Sequence, residues 1–506
     1  MQKNNPILPL LLSGVLLLGT LVSCGGKETP PDVNTGTAEE SNTGGGASDL
    51  YDENGYLKDN LPDNLNFENT PISILCWDAE GNPEFDVEET ATDEISRSVF
   101  GRNAAVEKRL NIQLEFTEVS LDKYNDRVQQ LDAGGLYMDL IGAKTQPASG
   151  LTAGGYLLPV NQIAGSYMDT EQPWWAQQLV EKIQINNKLY FCTGDISPNL
   201  VRMLYCVYFN EDIIRSIDGM ESPYTLVDEN RWTIGKMLEM AKDAYISKDE
   251  IEGPSVGDQL GLIGNYFDVP SLLHGCGVPI IEEDETGTLV VSPIFKGEKT
   301  IDVIDRISTA IHEMGIVQDM DMSGISFGNA FGEGRALFIT YESGSAIKYF
   351  KNIPFSAGCV PCPKYDDGTA DANGDYTTDQ TQYYSTVRQP ITMYGIMTAV
   401  PGERLSMNTA VMEALASAGY RTTTPTIFDS TMKLMNSTSL EMSRMLQLIR
   451  DTAFFDFGRI FAGNLRAVCD QPGYAMRDNT PWSIYIERVI PSVEALLSQF
   501  LEKNFS

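Results

Sequence analysis

The most constraining feature of the sequence is a strand–helix–strand pattern near residue 70. The run Ile72–Cys76 is apolar, follows Pro71 and ends at Trp77, as is typical of a buried strand. Asn111–Thr117 then alternates between apolar and polar residues, which predicts a second strand. The residues between them repeat on one helix face at Ile95, Val99, Val106 and Leu110. This order predicts an α/β fold in which helices cross over a sheet.

The rest of the chain continues this mixture of strands and helices. Further short apolar runs predict strands at Asp139–Ile141, Leu189–Phe191, Leu204–Phe209 and Leu337–Ile339. The second half is more helical, and its clearest helical repeat runs from Ile486 to Phe500. Pro491 lies inside that repeat and predicts a kink or a break there.

Residues 1–23 have the pattern of an export signal. Lys3 precedes an apolar run, and the segment contains no acidic residue. The run ends at Ser23-Cys24, which resembles a bacterial lipobox, whose cysteine carries the lipid of the mature protein. This resemblance implies lipidation at Cys24, by diacylglycerol and palmitate-type chains that attach a protein stably to a membrane. An ordinary signal peptide with an incidental cysteine is the alternative.

A flexible, lipid-anchored linker is predicted over residues 24–69. Of the 26 residues from 25 to 50, 16 are Gly, Pro, Ser, Thr or Asn, and none is aromatic. Such a segment cannot bury a core. The anchor and the linker together predict a folded body on the extracytoplasmic side of the cell membrane.

The charge and the histidine content exclude several kinds of partner. The chain has 36 basic and 70 acidic residues, for a formal net charge of −34, which disfavours nucleic-acid binding. Its 2 histidines leave little room for a histidine-rich metal site. We therefore expect no nucleic-acid partner, no metal and no cofactor.

Local motifs with catalytic or metal-binding spacing fail on their context. Gly324–Gly328 matches G-x-S-x-G, but no strand precedes it and both histidines lie upstream. The acidic turns Asp319–Gly324 and Asp371–Asp375 lack ligands that a calcium loop needs. Cys359 and Cys362 form a C-x-x-C without a second pair or a nearby histidine, which favours two small buried residues and leaves a local disulfide open. No catalytic residue is predicted.

Several segments, in a fixed order, resemble those of the sugar-type (family 1) extracellular solute-binding proteins of ABC importers. The order is more specific than any one segment, and the resemblance spans nearly all of residues 70–506. Met138 replaces the usual proline of its motif. The segments that carry the resemblance are Ile72–Trp77, Val106–Ile112, Met138–Ile141, Gly154–Val160, Leu204–Asp212, Phe331–Phe338 and Gly358–Lys364.

The resemblance implies a type II periplasmic-binding-protein-like fold, with two hinged α/β lobes and a ligand cleft between them. Lobe 1 is expected over residues 70–200 and 360–420. Lobe 2 is expected over residues 205–355 and 425–506. A cleft site also agrees with the general tendency of open α/β sheets to bind ligands beyond the carboxyl ends of their strands.

The expected ligand-binding residues follow from this geometry, because several lie directly after predicted strands. Aromatic rings stack on the apolar faces of sugars, and carboxylates accept hydrogen bonds from sugar hydroxyls. Trp232, Tyr384, Trp174 and Trp175 are weaker candidates, for which core packing is at least an equal alternative, and Asp195 is either a cleft acid or a turn residue. The predicted ligand-binding residues are Trp77, Asp78, Lys144, Tyr341, Glu342, Trp232 and Tyr384.

The functional expectation is a monomeric, non-catalytic lipoprotein that captures an extracellular solute for an ABC permease. By resemblance, the solute is a carbohydrate, either a monosaccharide or an oligosaccharide. One alternative is a protein that binds a peptide or another polar solute. The others are a cell-surface glycan-binding protein and a glycosidase, since 70 acidic residues leave a catalytic carboxylate pair neither supported nor excluded.

Overall fold

The structure is a computed structural model, in which some segments are not described. The predicted signal peptide, Cys24, the Gly324–Gly328 motif and all but the first residue of the Asp319–Gly324 turn lie outside the described residues. The described residues are 50–78, 84–248, 255, 257–264, 268–312, 317–319, 330–346, 350, 352–372, 374–388, 391–435 and 439–505.

Strands and helices alternate in the first two thirds of the chain, and helices dominate the last third. In the described residues, the strands are β1 (Thr70–Trp77), β2 (Ile112–Val119), β3 (Leu140–Lys144), β4 (Tyr205–Asn210), β5 (Leu260–Gly264), β6 (Ile281–Glu283), β7 (Leu289–Val291), β8 (Val317–Asp319), β9 (Ala336–Glu342), β10 (Ala357–Val360), β11 (Ser385–Thr386), β12 (Thr392–Gly395) and β13 (Ala453–Phe454). The α-helices are α1 (Glu94–Leu110), α2 (Tyr124–Ala133), α3 (Thr145–Ala153), α4 (Gln177–Lys182), α5 (Pro198–Arg202), α6 (Glu211–Ser216), α7 (Pro223–Asp228), α8 (Ile234–Ala244), α9 (Val269–Gly275), α10 (Pro293–Lys296), α11 (Glu298–His312), α12 (Gly402–Ala418), α13 (Thr424–Leu434), α14 (Leu440–Asp451), α15 (Phe457–Ile460), α16 (Gln471–Arg477) and α17 (Trp482–Phe505).

The first sheet has the strand order β12-β3-β1-β2 and contains the predicted strand–helix–strand unit. β1 runs parallel to β2 and to β3, whereas β12 runs antiparallel to β3. The connecting helix α1 begins after Asp93, whose side chain accepts a hydrogen bond from the Ser96 amide at 2.8 Å. It ends at Asn111, which has a left-handed φ of 50°. The sequence prediction for this unit is confirmed.

The second sheet has the strand order β10-β4-β9-β5-β8. β9 and β8 run parallel to β5, whereas β4 runs antiparallel to β9. Tyr205, at the start of β4, therefore pairs with Glu342, at the end of β9. This register brings the amino end of β4 to the same edge as the carboxyl ends of β9, β5 and β8, which run parallel to one another.

Residues 51–69 lie against the folded body, which corrects the predicted linker boundary at residue 69. Asp59 forms an ion pair with Arg109 of α1 at 2.6 Å, and Leu61 is buried. The Phe67 amide donates to the Leu110 carbonyl at 2.9 Å. The composition of residues 25–50 favours a linker, but the residues after position 50 contain apolar and charged side chains that the body binds.

Two local expectations from the sequence have clear outcomes. Helix α17 continues through Pro491 without the predicted break. Among the described residues, Cys359 and Cys362 are buried free thiols, so the local disulfide does not form, and burial raises the pKa of Cys362 to about 12. Within that same part of the chain, no helix has the length and apolar character needed to cross a bilayer.

Candidate functional site

A cavity of about 570 Å³ lies where the edges of the two sheets approach each other. Gln146 belongs to the first turn of α3, directly after the carboxyl end of β3. Tyr205 starts β4, beside the carboxyl end of β9. Carboxyl ends of parallel strands are where open α/β sheets bind ligands. The polar side chains that line the cavity are Gln146, Tyr205, Arg388, Arg459, Arg466 and Asp470.

Two predicted site residues, Tyr341 and Glu342, contact this cavity through Arg388. Nη1 of Arg388 donates to Oε2 of Glu342 at 2.8 Å, and its guanidinium carbon lies 4.9 Å from the centre of the Tyr341 ring. Burial lowers the pKa of Arg388, but the neighbouring Tyr205 and Glu342 raise it more. Burial and the Glu342 charge raise the pKa of Tyr341. Together these side chains fix a permanently charged guanidinium at the cavity wall.

Trp77, Asp78 and Lys144 form a second group at the carboxyl edge of the first sheet. Nζ of Lys144 lies 4.2 Å from the centre of the Trp77 ring, and only 3% of Trp77 is exposed. Burial lowers the pKa of Lys144, while the Asp78 charge opposes that shift. Trp77 therefore offers no open stacking face in this conformation, because Lys144 covers its ring. The ligand-binding role of the group stays a prediction.

The buried carboxylate of Glu84, which the sequence analysis did not single out, is connected to the Trp77 indole through Thr392. Nε1 of Trp77 donates to Oγ1 of Thr392 at 2.8 Å, and that hydroxyl donates to Glu84 at 2.8 Å. Glu84 also accepts hydrogen bonds from Ser197 at 2.5 Å and from Asn199 at 2.6 Å. Burial raises the pKa of Glu84, against the effect of these hydrogen bonds. The network ties the end of β1 to the segments that precede β4 and begin β12.

Trp232 and Tyr384 lie away from the cavity lining. Trp232 has no exposed surface, donates its indole N–H to the Pro361 carbonyl at 2.8 Å and packs on Phe338. The Trp232 ring belongs to the core beside the second sheet in this structure, and its ligand-binding role stays a prediction. Tyr384 is half-buried and packs edge-to-face against Phe454, with ring centres 5.2 Å apart.

The weaker candidates Trp174, Trp175 and Asp195 are buried and have hydrogen-bond partners inside the protein. The indole N–H groups of Trp174 and Trp175 donate to the two carboxylate oxygens of Glu413 at 3.0 and 2.9 Å. Burial raises the pKa of Glu413 to about 7. Asp195 forms a buried ion pair with Arg450 and accepts from Thr424 at 2.6 Å. These residues, apart from Glu413 and Thr424, line a smaller cavity of about 380 Å³.

Sequence reasoning missed the residues that make the larger cavity polar. Arg388 is distant in sequence from Arg459 and Arg466, and none of the three belongs to a recognisable motif. One feature of the sequence could have indicated two of these arginines. Arg459 and Arg466 lie within a few residues of glycines, in a break between helical repeats. The described residues contain no group of three or more His, Cys, Asp or Glu side chains placed to hold a metal ion.

The fold matches several solved structures. An ABC substrate-binding protein from Listeria monocytogenes, in complex with cycloalternan, aligns at a TM-score of 0.53 and 11% identity over 85% of this chain and 99% of that chain. A cyclic alpha-maltosyl-1,6-maltose binding protein from Arthrobacter globiformis aligns at 0.55 and 10% identity, over 85% and 99%. A sugar transporter from Rhizobium etli, in an open conformation, aligns at 0.54 and 15% identity, over 86% and 99%. This chain has their two-lobe fold.

The two-lobe fold gives the larger cavity its context. Its lining includes Gln146, in the helix that follows β3 of the first sheet, and Tyr205, which starts β4 of the second sheet. The match extends over nearly the full length of the solved proteins, so both lobes are present in this chain. No protein-family model matches the sequence, and no curated protein matches it either.

Proposed function

We propose that this chain is a non-catalytic solute-binding protein that captures an extracellular carbohydrate and delivers it to an ABC permease. The observation that carries the proposal is the polar cavity at the carboxyl edges of both sheets of the two-lobe fold. Proteins that share the fold include one crystallised with cycloalternan and one named for binding a cyclic maltose derivative. Their ligands are oligosaccharides, and a cavity of about 570 Å³ is within the usual range for small-molecule sites.

We assign one lobe to each of the two large sheets. The strands of the first sheet fall within residues 70–200 and 360–420, which supports lobe 1 as predicted. Four strands of the second sheet fall within residues 205–355, and β10 (Ala357–Val360) pairs with β4. Lobe 2 therefore includes β10 as well, together with residues 425–506. The segments between the lobes act as the hinge around which the cleft closes on its ligand.

The membrane attachment belongs to the same proposal. A lipid on Cys24 and a glycine-rich segment after it would hold the body at the extracytoplasmic face, where it meets permease subunits. Palmitate labelling of the chain and of Cys24→Ala tests this part directly. Label that persists in Cys24→Ala would remove the lipidation site from the proposal.

A thermal-shift screen of the purified protein tests the carbohydrate proposal against its rivals. Monosaccharides, oligosaccharides and peptides are compared, with reducing-sugar release measured in parallel. A saccharide at about 100 times its dissociation constant adds about 2.7 kcal/mol to the stability, which should raise the melting temperature by several degrees. A shift with peptides alone would point to a peptide-binding protein. Turnover of a saccharide would point to a glycosidase.

A substitution in the cavity tests whether the saccharide binds at the proposed site. Gln146 is exposed at the cavity, so Gln146→Leu should fold normally and lose only its amide hydrogen bonds. We expect a loss of about three- to tenfold in saccharide affinity, as for a neutral hydrogen bond. Gln129→Leu, an exposed residue of α2, is the matched control. Equal affinities for the two variants would remove Gln146 from the site.

A further inference from the structure

The larger cavity is basic, although the protein as a whole is strongly acidic. The chain has 70 acidic and 36 basic residues. The lining nevertheless contains Arg388, Arg459 and Arg466 against a single carboxylate, Asp470. A local excess of positive charge in so acidic a chain does not follow from composition. The local positive charge therefore indicates that the cavity has a ligand-binding role.

The three arginines differ in how far their charge is already balanced. Arg388 forms an ion pair with Glu342 at 2.8 Å. In the described part of the chain, Arg459 and Arg466 have no ion pair with a carboxylate. Arg466 donates instead to the neutral hydroxyl of Ser492 at 3.0 Å. Two positive charges at the cavity therefore lack an anionic partner among the described residues.

Arg459 is the most informative of these residues, because it is only 7% exposed. Its Nε donates to the Val387 carbonyl at 2.6 Å, which fixes the plane of the guanidinium group. Its Nη1 is buried and has no hydrogen-bond partner among the described residues. A buried charge without an anionic partner carries a desolvation penalty that a bound anion would offset.

We infer that the saccharide bound in this cavity carries oxyanion groups, namely carboxylates or sulfate esters. A guanidinium offers paired N–H donors whose geometry matches a carboxylate or a sulfate. Gln146 and Tyr205 supply neutral hydrogen-bonding groups for the hydroxyls of the same ligand. The inference rests on the proposed function and narrows it from carbohydrates in general to acidic ones.

Matched pairs of ligands test the inference on the whole protein. The first pair is an oligogalacturonate and its methyl ester, which differ only in the carboxylate charge. The second pair is a sulfated oligosaccharide and its unsulfated parent. We expect at least tenfold tighter binding of the charged member in one pair, measured by calorimetry, with affinity that falls as salt is added. The pair that shows the preference tells a carboxylate from a sulfate ligand.

Arginine variants assign that preference to the cavity. Arg466 is exposed, so Arg466→Gln should fold normally and weaken binding of the charged ligand about tenfold or more, with a smaller loss for the neutral member. Arg459→Lys keeps the positive charge but loses the paired N–H donors of the guanidinium, so it should also weaken binding of the charged ligand. Arg477→Gln, an exposed arginine of α16, is the control.

The possible results separate this inference from the function on which it rests. Equal or tighter binding of the neutral members would overturn the inference and leave the carbohydrate proposal intact. A preference for the charged member that is undiminished in Arg466→Gln would also overturn it. Failure of every saccharide in the wider thermal-shift screen would overturn the carbohydrate proposal and, with it, this inference.

Discussion

At the scale of single residues, burial decides what the conspicuous side chains do. Trp174, Trp175 and Trp232 have almost no exposed surface, and each indole N–H has a hydrogen-bond acceptor inside the protein. Large aromatic side chains stabilise a core wherever they are buried. Three arginines line the larger cavity instead, and the sequence analysis did not single them out.

Glu413 gives a pH-dependent prediction at this scale. Its pKa is raised to about 7 because it is buried. The folded protein therefore binds this proton more tightly than the unfolded chain does, and the stabilisation is lost as the pH rises through about 7. We expect wild-type protein to lose about 3 kcal/mol more than Glu413→Gln in the free energy of unfolding between pH 5 and pH 8.

Denaturant titrations at the two pH values check this difference. The control is Glu403→Gln, an exposed residue on the same helix, α12. It should follow the pH dependence of the wild type. Parallel pH profiles for wild type and Glu413→Gln would show that burial does not raise the pKa of Glu413, and the prediction would fail.

At the scale of elements, the buried ion pair between Asp195 and Arg450 connects a segment beside the first sheet to a helix beside the second. Asp195 follows Cys192, which exchanges backbone hydrogen bonds with Tyr394 of β12. Its partner Arg450 lies near the end of α14, a helix that packs on β10 of the second sheet. The Asp195 side chain is only 2% exposed. The pair therefore helps to hold α14 against the segment that leaves the first sheet.

Arg450→Gln should be strongly destabilising, because it leaves the Asp195 charge buried with only Thr424 and backbone neighbours. We expect a loss of about 3–5 kcal/mol in the free energy of unfolding. The matched control is Arg444→Gln on the same helix, since its ion pair with Asp228 is exposed and should contribute at most about 1 kcal/mol. Similar losses for both variants, measured by chemical denaturation, would contradict this ranking.

The sequence predicts the elements better than it predicts the site. Helix α1 and strand β2 follow from local periodicity, which needs no knowledge of the rest of the chain. The cavity depends instead on long-range packing, which brings Gln146, Arg388 and Arg459 together. The covering of Trp77 by Lys144 is likewise a contact between two neighbouring strands. Periodicity carries no information on such contacts.

At the scale of the whole molecule, the two-lobe fold predicts a change of shape on binding. A ligand that contacts both cavity walls should favour the closed arrangement of the lobes. Small-angle X-ray scattering of the full mature chain should therefore give a smaller radius of gyration with a binding saccharide than without it. A non-binding saccharide of the same size is the control. An unchanged radius at saturating ligand would contradict hinge closure.

The central claim is that the protein binds a saccharide and leaves it intact. Native mass spectrometry of the protein, incubated with a mixture of acidic and neutral oligosaccharides, tests this most directly. We predict a single added mass per chain, equal to that of one intact oligosaccharide, and no shortened saccharides in the solution. Accumulation of cleavage products, or the absence of any saccharide adduct, would contradict the claim.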